Sequence, residues 1–171
     1  GWPAREAVGS GGGYKGRRAA VFEAEFAVLV DPPFACATSN CTTALHLALT
    51  AINIVPGDEV ITASHSFIAT ANCIKYCGAT PVFVDIDPKT LNLDPDKAEK
   101  AITSKTRAIL AVEAFGNPVG MHEIAQLAAR HEIPLIEDSC DVLGSAHNRR
   151  KFGTFGLCAV LASYPNNQLT T

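Results

Sequence analysis

No segment of this 171-residue chain approaches the run of about 20 apolar residues that a membrane-spanning helix requires. The opening GWPAREAVGSGGGYKGRR lacks the apolar stretch of a secretory leader. Charge of one sign is lacking too. With 14 Lys and Arg against 17 Asp and Glu, the net charge of −3 gives no reason to expect nucleic acid or an anionic membrane as partner. The six cysteines (Cys36, Cys41, Cys73, Cys77, Cys140, Cys158) form none of the paired Cys-x-x-Cys units of a structural zinc site, and no metal is expected. Internal repeats and low-complexity stretches are absent. These absences lead to the expectation of a cytoplasmic globular protein whose cysteines are buried thiols in a reducing compartment.

What is there is a pattern of alternation. Apolar residues make up 47% of the chain, enough for one sizeable core. Residues 1–20, rich in Gly and Arg, read as a loose arm. From Phe22 apolar residues recur at helical spacing up to the break Asp31-Pro32-Pro33. Beyond it short apolar runs alternate with amphipathic segments. Strands are expected over Phe34–Thr38, Glu59–Thr62, Pro81–Asp85, Ala108–Val112, Pro134–Asp138 and Cys158–Ser163. Helices are expected over Thr42–Ile52, Phe67–Tyr76, Pro95–Ile102 and His122–His131. This order predicts an α/β domain around a mostly parallel sheet.

Three constellations carry chemistry. In TSNCTTALHLAL a strand gives way to small polar residues and then a helix, an arrangement that presents unpaired N–H groups to an anion such as phosphate. An ordinary N-cap by Ser39 or Asn40 explains the same residues. In PLIEDSCDVLGS, Asp138 ends an apolar strand, where open α/β sheets place their ligands. A carboxylate there either pairs with a protonated ring nitrogen or caps a helix; Asp141 faces the same pocket or caps the next turn. In ASHSFIATAN, Phe67 opens a helix, its ring either stacked on a planar ligand or buried in the core, and His65 is equally ambiguous.

Taken in series, the segments NCTTALHLALTAINIVPGDEVITASHSFIATAN, GATPVFVDIDPKTLNLDP, TSKTRAILAVEAFGNPVGM and PLIEDSCDVLGSAHNRRKFGTFG closely resemble the DegT/StrS-type nucleotide-sugar aminotransferases. The likeness runs in order from about Phe22 to the last residue. It implies a fold-type I enzyme dependent on pyridoxal 5'-phosphate (PLP), with a three-layer α/β/α large domain of the aspartate aminotransferase kind. Residues 21–171 would then be part of that large domain, truncated, with the C-terminal small domain absent. The backbone around Asn40, Cys41 and Thr42 matches the phosphate cradle, Phe67 the aromatic that stacks on the pyridine ring, Asp138 the carboxylate bonded to the ring nitrogen, and Asp141 the residue reaching the ring's phenolic side. Intact relatives are homodimers that transfer an amino group from an amino acid, usually glutamate, to a nucleotide-linked keto sugar for polysaccharide or antibiotic synthesis.

The departures weigh as much. Where the family reads a phrase like FYPNKQLTTGEGG, this chain reads SYPNNQLTT, so Asn167 occupies the Schiff-base lysine position. An amide nitrogen, its lone pair delocalised into the carbonyl, neither forms that bond nor shuttles protons. PLP or pyridoxamine 5'-phosphate (PMP), if bound, is therefore expected to be held non-covalently, and the chain to be inactive alone. Leu157, Leu161, Ala162 and Ser163 also depart from the family pattern, and Glu113 replaces a common His. Two other expectations stand beside the aminotransferase: a lysine-less deoxysugar dehydratase-like protein, and a non-catalytic pseudoenzyme that binds a ligand or partner.

Overall fold

The computed structural model describes residues 16–30, 33–142, 146–147, 150–151 and 153–162. They fall into two compact units, residues 1–38 and 39–171.

In the first unit, helix α1 spans Arg17–Val30, starting ahead of the Phe22 boundary read from spacing. Phe22 and Phe26, four residues apart, meet on one face with ring centroids 5.5 Å apart. The strand expected at Phe34–Thr38 is not formed. Among the described residues they join no sheet, and the amide of Ala37 donates to Glu23 Oε1 of α1 at 2.6 Å. Apolar alternation alone does not make a strand when no sheet edge takes up its N–H groups.

The second unit alternates as the sequence predicts. In chain order it holds α2 (Cys41–Ala51), β1 (Glu59–Ala63), α3 (Ile68–Tyr76), β2 (Thr80–Val84), α4 (Pro95–Lys100), β3 (Thr106–Val112), α5 (Met121–Arg130), β4 (Leu135–Asp138), β5 (Ala146–His147), β6 (Arg150–Lys151) and β7 (Cys158–Val160). Five strands form one sheet in the order β2-β1-β3-β4-β7, every pair parallel. The small antiparallel pair β5–β6 stands apart from it.

Both faces of the sheet are covered. Leu45 and Leu49 of α2 and Cys73 and Ile74 of α3 pack against Val60, Leu110 and Ile136 on one side. Met121, Ile124 and Leu127 of α5 and Ala98 of α4 pack against Ile61, Ile109 and Leu135 on the other. Each fully buried leucine or isoleucine contributes about 1.5–3 kcal/mol, so the two cores dominate the stability of this unit. Local signals fix the ends of the helices. Asp94 caps α4 by accepting the amides of Asp96 and Lys97, with Pro95 in the first turn. Gly78 closes α3 with φ +74°, where a Cβ would meet Pro56 Cγ at 2.7 Å. The result is the expected three-layer α/β/α arrangement. Among the described residues no helix is long and apolar enough to cross a membrane.

Candidate functional site

Because the strands are parallel, their carboxyl ends share one rim, and the N-termini of α2 and α3 converge there on the end of β4. Asn40 caps α2: its Oδ1 accepts the amide of Thr43 at 2.9 Å and the Thr43 hydroxyl at 3.1 Å. The cap satisfies a single amide and leaves the helix terminus its positive end. Cys41 and Thr42, partly buried, follow in the first turn.

Asp138 ends β4 on the α2/α3 side, only 7% exposed. Thr70, one turn into α3, donates its hydroxyl to Asp138 Oδ2 at 2.8 Å. Burial pushes the Asp138 carboxyl above the usual range, while the Cys140 S–H, the Thr70 hydroxyl and the Cys140 N–H pull it back. A carboxylate so placed is desolvated with no cation beside it among the described residues, and a cationic group on a ligand would relieve that cost.

Phe67 is not a core residue. It precedes α3 as its N-cap, and its side chain is 76% exposed. Phe115, held at φ +53° in the turn after β3, is equally open, and its ring lies 5.7 Å from that of His65. Asp141 is exposed one turn beyond Asp138. Asn167 lies outside the described residues.

The structure therefore brings together the two constellations that contain Asn40–Thr42 and Asp138, with α3 between them. Thr70 was not singled out by sequence reading, although ASHSFIATAN contains it; a small hydroxyl one turn after a strand-end aromatic was the available signal. Asn92 was also missed. Buried in the loop before α4, it accepts the Ala114 amide at 2.9 Å and donates to Asn117 O and Val119 O at 2.8 and 2.9 Å, which fixes the turn that presents Phe115.

The opposite face of β4 carries a second acid group. Glu137 and Glu113 are 0% and 1% exposed and lie against each other on the α5 side of the sheet. Glu137 Oε1 accepts the Gly156 amide at 2.6 Å, but Glu137 Oε2, both Glu113 oxygens and Ser139 Oγ make no well-formed hydrogen bond with the described residues. Burial first, and the neighbouring Glu137 charge second, push Glu113 up to about 9. Burial also raises Glu137.

The chain is 46% identical over 156 residues to the GDP-perosamine synthase of Caulobacter vibrioides, covering 91% of this chain and 42% of that protein. The structure matches Streptomyces venezuelae DesV, solved with a ketimine intermediate, at a TM-score of 0.86 and 37% identity over 91% of this chain and 42% of that one. It matches NtdA of Bacillus subtilis, solved with bound PMP, at a TM-score of 0.86 and 35% identity over 91% of this chain and 35% of that one. Sugar dehydratases stand beside aminotransferases among the relatives. The chain spans about two fifths of the length of the curated relatives it matches. With residues 3–171 matching the family model throughout, the chain belongs to the DegT/DnrJ/EryC1/StrS aminotransferase family.

Proposed function

We propose that this chain forms the cofactor-binding part of a PLP-dependent aminotransferase of keto-sugar nucleotides, and that it holds PLP or PMP without a covalent bond. The observation that carries the reading is Asp138: a buried carboxylate at the carboxyl end of a parallel strand, beside a helix N-terminus, with an exposed aromatic one turn from its Thr70 partner. These features fit the group. The N-terminus of α2 around Asn40, Cys41 and Thr42 suits a phosphate dianion. Phe67 offers a π face, and Asp138 offers the anion that holds a pyridine nitrogen protonated. Asp141 stands near the phenolic side.

Such a cofactor supplies an electron sink that stabilises negative charge at the substrate carbon. The chain's own part is to bind, orient and fix protonation. Thr70 and Cys140 aim Asp138 by donating to it. Asn167 supplies neither the amine for a covalent link nor a group that moves protons near neutral pH. On this reading transamination by the chain as it stands fails, and a nucleotide-linked keto sugar, an amino-acid donor such as glutamate, a homodimeric assembly and a cytoplasmic location belong to the enzyme type rather than to a working cycle here.

A lysine-less sugar dehydratase is the second reading, favoured by the dehydratases among the relatives and by the EDSCD stretch. It requires a proton-transferring group at position 167, which an amide is not.

Equilibrium dialysis with PMP and with PLP tests the proposal. Asp138→Asn is expected to weaken binding about tenfold or more, as loss of a charge-assisted hydrogen bond does. Borohydride reduction of the PLP-loaded protein should leave residue 167 unmodified, whereas Asn167→Lys should gain a pyridoxyl group there. Unchanged affinity in Asp138→Asn, or a reduced adduct on Asn167, refutes the reading.

A further inference from the structure

Of the six cysteines, all expected to be buried, only Cys73 is fully so; Cys36 is exposed, and Cys41 and Cys140 are partly buried at the rim. Cys41 opens α2 and Cys140 follows the end of β4, 99 residues on, yet their Sγ atoms stand 2.6 Å apart. Non-bonded carbon atoms settle at about 3.5–4 Å and sulfur is larger than carbon, so this thiol–thiol contact is inside ordinary packing distance. We propose that Cys41 and Cys140 form a reversible disulfide that ties the start of α2 to the end of β4 across the rim of the sheet.

A metal is the competing use of the same atoms, since Cys41, Asp138 and Cys140 place ligand-type atoms within 4.8 Å of one another. The spacing argues against it. Two thiolates on a tetrahedral zinc, each bonded at about 2.3 Å, lie roughly 3.7 Å apart. Asp138 is also engaged already, by the Thr70 hydroxyl and the Cys140 thiol. Cys73, 0% exposed, is closed to a small oxidant.

The chemistry balances with a low-molecular-weight disulfide of the glutathione class as oxidant. Cys41, partly exposed in the first turn of α2, attacks one sulfur of the oxidant and releases one small thiol. Cys140 then attacks Cys41 Sγ and releases the second. Two protein thiols are oxidised, one small disulfide is reduced to two thiols, and the two thiol protons leave with them. Cys140 suits the resolving role. Its contact with Cys41, burial and the Asp138 charge hold it protonated until that step, and the Asp138 carboxylate that accepts its S–H stands where the proton departs. Disulfides of this kind in a reducing compartment are transient or sensory rather than structural. The inference holds whether or not the rim takes PLP.

The test is thiol counting and peptide mapping of the purified protein after treatment with oxidised glutathione. The expected result is loss of two thiols, a mass lower by about 2 Da, and a linked peptide pair containing Cys41 and Cys140, all reversed by dithiothreitol. Cys41→Ser and Cys140→Ser should each abolish the link, and Cys36→Ser should leave it intact. The wild-type map stands by itself if either variant fails to fold. A persistent glutathione adduct without a linked pair overturns the proposal. So does a link between other cysteines, or zinc that protects both thiols from alkylation while no link forms.

Discussion

Glu113 and Glu137 meet across β3 and β4, where Ala111 pairs with Glu137 and Glu113 follows two residues on along the same face. Two buried carboxyls cannot both ionise there at small cost, so Glu113 keeps its proton up to about 9. Its unfolded counterpart ionises near 4.5, so the folded value is raised. The stability it contributes is full below about 4.5 and is lost as pH rises through about 9. Glu113→Gln, which carries a hydrogen-bond donor at every pH, is expected to flatten that decline and to gain on the order of 2 kcal/mol at pH 8. Urea midpoints of both proteins at pH 5.5 and 8 check this; parallel pH profiles would refute it. At this scale Asp138 was legible in the sequence, because an acid ending an apolar strand already names its place. The Glu pair was not, because it depends on the register of two strands 26 residues apart in their paired positions Ala111 and Glu137, which composition does not reveal.

The helices were legible as elements because each carries its own signals. Leu45 and Leu49 repeat at helical spacing in α2, Asp94-Pro95 opens α4, and Gly78 ends α3. The strands were legible only where a neighbour existed to receive them, which is why Phe34–Thr38 failed and why the two-residue strands β5 and β6, too short for any periodicity, were not foreseen. At α2 the cap itself is open to measurement. Asn40→Ala removes the acceptor of the Thr43 amide and is expected to cost about 1 kcal/mol in urea unfolding, while Asn40→Asp should recover most of it. Equal midpoints for the Ala and wild-type proteins would show that Asn40 does not carry the cap.

Across the whole molecule, alternation predicted a parallel sheet, but the order β2-β1-β3-β4-β7 lay beyond it, since every short run could have paired with any other. The order has a measurable consequence. β3 has partners on both sides and its residues Ala108–Ala111 are fully buried, whereas β2 has one partner and exposes Phe83. Amide hydrogen exchange should be slowest in β3 and its neighbours β1 and β4, and faster in β2. Protection of β2 equal to that of β3 would contradict this topology.

Glu137 and Asp138, consecutive on β4, look out from opposite sides of one sheet, the first toward α5 and the second toward the Thr70 hydroxyl. Since strand side chains alternate, a slip of β4 by one residue against β3 would exchange the two acids and invert both cores at once.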